Sequence, residues 1–359
     1  MPDNIPVLHI DTKNISILDL NKISTSNTII PLETTDFNLI KKIGQVFLID
    51  TAVIVWDAGM HNVHVYNNKG KYLYNIGKRG PGANEYIEIE DVYVSHENKT
   101  VSIFDNGKRA VHTYKVTGEL ISLESIPYYA YSFYPAANGY WLFNNAQNKD
   151  KYNLFLWNTK DRKIQSGFLP NKNILDIYPT NNFFHDEDKG LFFHYPNEDI
   201  IYRIDGEKLE PYLYVDFGPK KNPYTDINSL QYLDCVERNE YIGNINNLYI
   251  HGDKLFFQFS EHFGRNNTRI QSYYAYSSIS DLKTTLYEVN LKHSENIPIS
   301  PLPDIIGLSM NKLIFQINPN ILNNDRLMEL INKMVQTYGY TTKIDFESNP
   351  ILIMYELTK

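Results

Sequence analysis

Between Ile76 and Tyr86 the chain reads IGKRGPGANEY, with three glycines and a proline around Lys78 and Arg79. Such a stretch has the makings of a phosphate grip, in which closely spaced backbone N–H groups and a cation cradle an anion at the start of a helix. The spacing argues against it. A nucleotide-binding loop needs G-x-x-x-x-G-K-[ST], which Gly77, Gly80 and Gly82 do not supply. A dinucleotide fingerprint begun at Gly80 meets Glu85 where its third glycine belongs. From Tyr86 the chain continues as YIEIEDVYV, which alternates as a strand rather than opening a helix. The segment therefore reads as a corner, where glycine permits positive φ and Pro81 stiffens the turn.

Other residues have the chemical types for catalysis or metal binding. Asp57 and Asp105 have the acidity for general acid–base work, but each stands in a D-x-G context that builds a turn. His64 and His112 occupy equivalent places in an internal repeat with no carboxylate recurring beside them, so they read as strand positions facing a neighbouring sheet. HDEDKG, His185 to Gly190, has the composition of a calcium loop without its D-x-D-x-D-G spacing or distal glutamate, and reads as a polar hairpin turn. Cys235 has no recognisable nucleophile context. As the single cysteine it also excludes an intrachain disulfide and a multi-cysteine metal cage. No catalytic residue, metal ligand or cofactor motif emerges.

The elements that carry these residues repeat. VIVWDAGMHNVHVYNNKGKYL, from Val53, aligns without a gap on VSIFDNGKRAVHTYKVTGELI, from Val101, at an offset of 48 positions (101 − 53). Asp57 meets Asp105, Gly59 meets Gly107, His64 meets His112, and Tyr66 meets Tyr114. Apolar residues alternate, a D-x-G turn intervenes, and they alternate again before an x-G turn opens a further strand. Adding Val46–Ile49 and Val92–Val94 ahead of each segment gives a four-stranded meander. Weaker echoes run through Tyr140–Ile164, Leu191–Gly218 and Lys254–Leu291, the last including the strand-borne aromatic run SYYAYSS. IGLSMNKLIFQI and NPILIMYEL supply inner strands of a last meander, and NTIIPLE from near the start supplies its outer one. Pairing both ends of the chain in one sheet removes the open edges of a linear array. At roughly 40 to 50 residues per four-stranded blade, the chain is an all-β, six-bladed β-propeller of four-stranded antiparallel blades. It forms a single domain over residues 1–359, closed by pairing N-terminal and C-terminal strands. Small insertions fall at about 219–246 and 320–345. The second holds NNDRLMELINKMVQTY, Asn323 to Tyr338, whose apolar residues recur at helical spacing behind Asp325.

Composition agrees. The 359 residues are 42% hydrophobic, with 28 Tyr and 18 Phe, residues that favour pleated strands. A formal charge of -8 argues against general nucleic-acid or anionic-membrane binding. No apolar run reaches the roughly 18 to 20 residues of a membrane span. MPDNIPVLHIDTKN lacks the basic flank and apolar core of a secretion signal, which suits a protein that stays inside the cell or one whose signal has been removed.

The segments IIPLETTDFNLIKKIGQVFLID, IGKRGPGANEY, DIIYRID with YVDFG, and NPILIMYELTK resemble, in order and over nearly the whole chain, the six-bladed β-propeller proteins abundant in Bacteroidetes. That family is similar to NHL-type propellers and is largely of unassigned function. Its members commonly begin with a lipoprotein or secretory signal, so the resemblance implies an exported protein of the periplasm or outer membrane.

In such a meander the outer-to-inner crossing and the turn between strands two and three lie on one face. That face gathers Lys78 and Arg79 from the first crossing, Tyr128, Tyr129 and Tyr131 from the next, and the turn residues His61, Lys108 and Arg109. Blade five adds Glu261, His262 and Arg265. Loops on a rigid ring are where binding residues concentrate. The expected function is therefore a non-enzymatic binding propeller whose tyrosines stack on an extended glycan or peptide ligand, or a protein partner, while basic groups pair with its acids. The alternative is a lactonase- or lyase-like enzyme with a calcium or zinc ion on Glu, Asn, Asp or His of the central channel. The inner strands read VFLI, VYV, YWLF, LYI and GLSM, and their apolar character favours the binder.

Overall fold

The computed structural model describes residues 5–16, 20–144, 151–170, 182–195, 198–221, 241–242, 245–263, 269–288, 305–322 and 325–358. The fold is a six-bladed β-propeller of small antiparallel sheets. Blade one comprises Ile43–Ile49, Ala52–Asp57, Asn62–Asn67 and Tyr72–Asn75, and blade two Ile89–Ser95, Thr100–Asp105, Ala110–Lys115 and Leu120–Ser125. The 48-residue offset thus superposes the three strands that follow each inner one. Blade three comprises Ser132–Ala136, Gly139–Phe143, Tyr152–Asn158 and Lys163–Pro170; blade four Phe183–Asp186, Gly190–His194, Ile200–Asp205 and Lys208–Asp216. Blade five is built from Asn246–His251, Lys254–Phe263, Arg269–Ser278 and Lys283–Glu288, with Tyr241–Ile242 added beside Lys254–Phe263. In blade six Ile305–Ser309 and Lys312–Ile317 are followed by Ile351–Leu357, against which Ser24–Pro31 pairs antiparallel as the outer strand. The two ends of the chain therefore share one sheet, as the sequence requires.

The chain divides into two compact units, one of residues 19–125 and 289–359 and the other of residues 1–18 and 126–288. Within the first, alternation along a strand explains the core, because a blade between two others is buried on both faces. In blade one Val53, Val55 and Tyr66 join a cluster with Ile306, Ile314 and Leu352 of blade six. Their neighbours Ile54, Val63 and Val65 join a second cluster with Val92, Val101 and Ile103 of blade two. The helix Asp325–Thr337 buries Met328, Ile331 and Val335, and Tyr338, just past its end, bonds Asn27 of the outer strand of blade six.

In the second unit, blades four and five share a cluster that includes Ile201, Leu213, Leu255 and Phe257. Two short N-terminal strands extend these blades: Val7–His9 pairs parallel with Tyr214–Asp216, and Ile15–Ser16 parallel with Leu286–Tyr287. Leu8 is fully buried in the shared cluster. The sequence held no signal for these additions, since runs of two and three residues carry no periodicity.

One reading is corrected. YWLF lies in the second strand of blade three, Gly139–Phe143, and the inner strand is Ser132–Ala136, SFYPA. Pro135 disguised it, yet an inner strand has one unpaired edge, where a missing N–H is tolerated. The long insertion contributes the short helix Gly218–Lys220; Cys235 lies outside the described residues.

Candidate functional site

The crossing loops of blades one and two are built around two buried aspartates. Asp57 Oδ2 accepts from the Lys41 N–H at 3.0 Å, and Oδ1 accepts from those of Lys42, Gly59 and Met60 at 3.0, 2.9 and 3.2 Å. Asp105 repeats the device: Oδ2 takes the Ile87 N–H at 2.9 Å, and Oδ1 takes Glu88 and Lys108 at 3.0 and 3.2 Å. Each carboxylate thus ties the lead-in of its inner strand to the turn between strands two and three. Burial alone would push Asp105 upward, but the His112 ring 3.4 Å away and the hydrogen bonds from these backbone groups hold its pKa below the usual carboxylate range.

The IGKRGPGANEY segment folds on itself as a corner. Gly80 N–H donates to the Tyr86 carbonyl at 2.8 Å, Tyr86 N–H to the Lys78 carbonyl at 3.0 Å, and Gly82 N–H to Glu85 Oε2 at 2.9 Å. Gly77 takes φ +68, and a Cβ there would stand 2.8 Å from the Tyr114 hydroxyl. No helix comes next; Tyr86 is buried and the chain enters the inner strand of blade two.

The basic candidates converge on this corner, where their polar atoms meet the protein's own oxygens. Lys78 pairs with Glu85 at 2.8 Å, Arg79 Nε donates to the Ile87 carbonyl at 3.0 Å, and His61 Nδ1 donates to the Ile89 carbonyl at 2.9 Å. Lys108 Nζ bonds the carbonyls of Gly82 and Glu85. Arg109, with φ 52, ends the turn that Asp105 organises.

In the other unit, Tyr128 packs edge-on against Phe155 and Trp157, at 4.9 and 5.2 Å between ring centres. Tyr131 lies against Phe143, and Tyr129 points outward. Glu261 is buried: Lys220 Nζ contacts Oε1, and the Tyr273 hydroxyl donates to Oε2 at 3.0 Å. His262 stacks on Tyr241 at 4.6 Å, and burial lowers its pKa. Arg265 lies outside the described residues. The Lys220–Glu261 pair had no signal in the sequence, since its members are 41 positions apart.

Two features bear on acid–base chemistry. Glu90, in the inner strand of blade two, is pushed by burial up to about 7, against an opposing hydrogen bond from Asn106 Nδ2 at 3.2 Å. His64 and His112 are buried, and the expectation that no carboxylate accompanies them needs correcting: His112 Nε2 lies 3.4 Å from Asp105 Oδ2. The repeat places Asp and histidine on adjacent strands, a proximity that linear spacing conceals. Among the described residues no three His, Cys, Asp or Glu side chains are grouped to hold a metal ion.

Residues 3–356 match the profile of a family described as Domain of unknown function (DUF4934). The chain belongs to the DUF4934 family. The DUF4934 chain is similar in fold to a Bacteroides fragilis protein whose name marks it as a candidate exported protein, with 16% identity, TM-score 0.74, and coverage of 99% of this chain and 100% of that one. It is also similar to a DUF4221 family member from Bacteroides vulgatus, at 8% identity and TM-score 0.58, with 93% and 96% covered. No curated protein matches it. No helix of the DUF4934 chain among the described residues is long and apolar enough to cross a membrane. What its crossing loops offer chemically is a fixed backbone platform with exposed side chains, among them Lys78 and Arg79, which the sequence placed there, and Phe37 and Leu39, which it did not single out.

Proposed function

We propose that the protein is a non-enzymatic binding propeller acting outside the cytoplasm, which receives an extended ligand on the crossing loops of blades one and two. The observation that carries this reading is the stapling of those loops by Asp57, Asp105 and Lys108. Loops held by charge-assisted hydrogen bonds lose little further entropy on binding, so they suit recognition. Location at the cell envelope draws support from the resemblance to exported Bacteroidetes propellers and from the name of the Bacteroides fragilis protein of similar fold. Tyr129, exposed on the lead-in to blade three, belongs to the proposed ligand-contacting set of its own unit.

A thermal-shift screen against oligosaccharides and short peptides tests the reading. A bound compound should raise the melting temperature of the native chain, and Lys78→Glu, at a side chain 80% exposed, should weaken that compound. A compound that binds equally well to Lys78→Glu and to variants of the neighbouring loops would place recognition elsewhere. The channel-enzyme reading draws on Glu90 alone, whose carboxyl burial pushes up to about 7. Stoichiometric metal in elemental analysis of the purified chain would favour it.

A further inference from the structure

Residues 5–16 lie along the outer edges of two blades that are complete without them. Blades four and five each have four strands of their own, and the segment adds Val7–His9 to the one and Ile15–Ser16 to the other. Both additions run parallel to the strand they meet, the pairing that is slightly weaker per residue. Tyr214 N–H donates to the Pro6 carbonyl at 3.0 Å, and Ile10 N–H to the Asp216 carbonyl at 2.9 Å. The grip is apolar, since Leu8 and Ile10 are buried in the cluster that holds Leu213, Val215 and Leu286. Polar contacts flank it. His9 Nδ1 meets Asp216 Oδ2 at 2.9 Å from a side chain 76% exposed, and Lys220 Nζ donates to Thr12 Oγ1 at 3.3 Å.

These contacts make the segment a strand ligand of blades four and five that shares their chain. It belongs to the compact unit of residues 126–288, whereas residues 19–125, next in the chain, belong to the other unit. Its tie from His9 to Asp216 spans 207 positions. Departure of the segment leaves both meanders whole, uncovers two strand edges and vacates the place of Leu8; an uncovered edge is a template for pairing with another chain. Strands of three and two residues hold it, so it opens far more readily than the blades beneath it unfold.

We propose that these edges of blades four and five accept the N-terminal segment of a second copy of the chain, so that two copies exchange residues 5–16 and close into a two-fold dimer. Every contact that the segment makes in its own chain is reproduced in the exchange. The two arrangements therefore differ only in the path of the connecting chain and in their dependence on protein concentration. An unrelated strand is a poorer occupant. The site has a deep apolar position filled by Leu8, a carboxylate at Asp216 opposite His9 and an ammonium at Lys220 opposite Thr12, and the chain's own sequence meets all three. The exchange needs no ligand at the crossing loops.

Disulfide trapping tests the exchange. The register sets His9 opposite Asp216, so cysteines there stand within bonding reach, and Cys235→Ser removes the natural thiol. A chain with both His9→Cys and Asp216→Cys, oxidised while dilute, should form the bond within itself. Chains with His9→Cys alone, mixed at high concentration with chains carrying Asp216→Cys alone and then oxidised, should form covalent heterodimers. Their yield should rise with concentration and exceed that obtained with Lys208→Cys, at the far end of the same strand. Adding Leu8→Ala to both chains should speed their formation by about tenfold or more, because opening then gives up less buried surface. Melting temperatures are checked first. Should Asp216→Cys not fold, native mass spectrometry of ordinary mixed with isotope-labelled native chains should show mixed dimers. An excess of synthetic peptide of residues 5–16 should suppress them, and the same peptide with Leu8→Asp should not. Heterodimers no more abundant than with Lys208→Cys, a double variant that forms no bond within itself, or mixed dimers absent or indifferent to the native peptide would overturn the proposal.

Discussion

Asp57 and Asp105 have the appearance of catalytic acids in the sequence and are consumed as backbone acceptors in the fold. Each buried carboxylate satisfies N–H groups from two separate segments, so its loss orphans several donors at once. Asp57→Ala should destabilise the protein by about 3 kcal/mol, read as a lower denaturant midpoint; a cost below about 0.5 kcal/mol would contradict the staple. A second residue gives a pH signature. His194 is buried and donates from Nε2 to the Glu198 carbonyl at 2.9 Å, and burial lowers its pKa to about 4 from the ordinary value of 6.5. The unfolded chain therefore takes up a proton near pH 6.5 that the folded chain refuses until about 4, and stability present above 6.5 is lost as the pH falls through that window. At about pH 5 the loss from this group amounts to about 2 kcal/mol. His194→Gln should show a correspondingly shallower decline in stability from neutral to acid pH; parallel pH profiles for the two proteins would refute the assignment.

Among the elements, the N-terminal additions separate contact from burial. Val7–His9 and Ile15–Ser16 both extend an outer strand, but Leu8 is fully buried with Leu213 and Val215 whereas Ile15 is 41% exposed. Leu8→Ala should cost about 3 kcal/mol, and Ile15→Ala should stay within about 0.5 kcal/mol; equal effects in chemical denaturation would mean that the first strand does not anchor the segment. The helix Asp325–Thr337 is legible in the sequence, because its apolar residues keep a helical period and Asp325 stands at its start. The inner strand of blade three is not, because Pro135 and the short run SFYPA give a period-two signal too brief to outweigh its neighbour YWLF.

For the whole molecule, the decisive pairing is that of Ile351–Leu357 between Lys312–Ile317 and Ser24–Pro31. Deletion from Ile351 onward should leave two unpaired edges in blade six and yield an insoluble or unfolded chain; a soluble product with native far-UV circular dichroism and cooperative melting would show that the pairing is dispensable. This architecture is written in the order of residues alone. Alternating apolar residues, D-x-G turns and a 48-position repeat act over a few residues at a time, so blade count, strand order and closure come from local periodicity. The same order puts Lys78, Arg79, His61 and Lys108 on one group of loops, because topology alone sets which turns share a face. What those side chains do is fixed by the folded arrangement instead. Arg79, His61 and Lys108 meet backbone carbonyls contributed by neighbouring segments, Asp105 comes to lie beside His112, and Phe37 and Leu39 are held outward by Asn38 and Asn349. Exposure and hydrogen-bond partnership depend on segments as far apart as 311 positions, a range at which no pattern of neighbouring residues carries information.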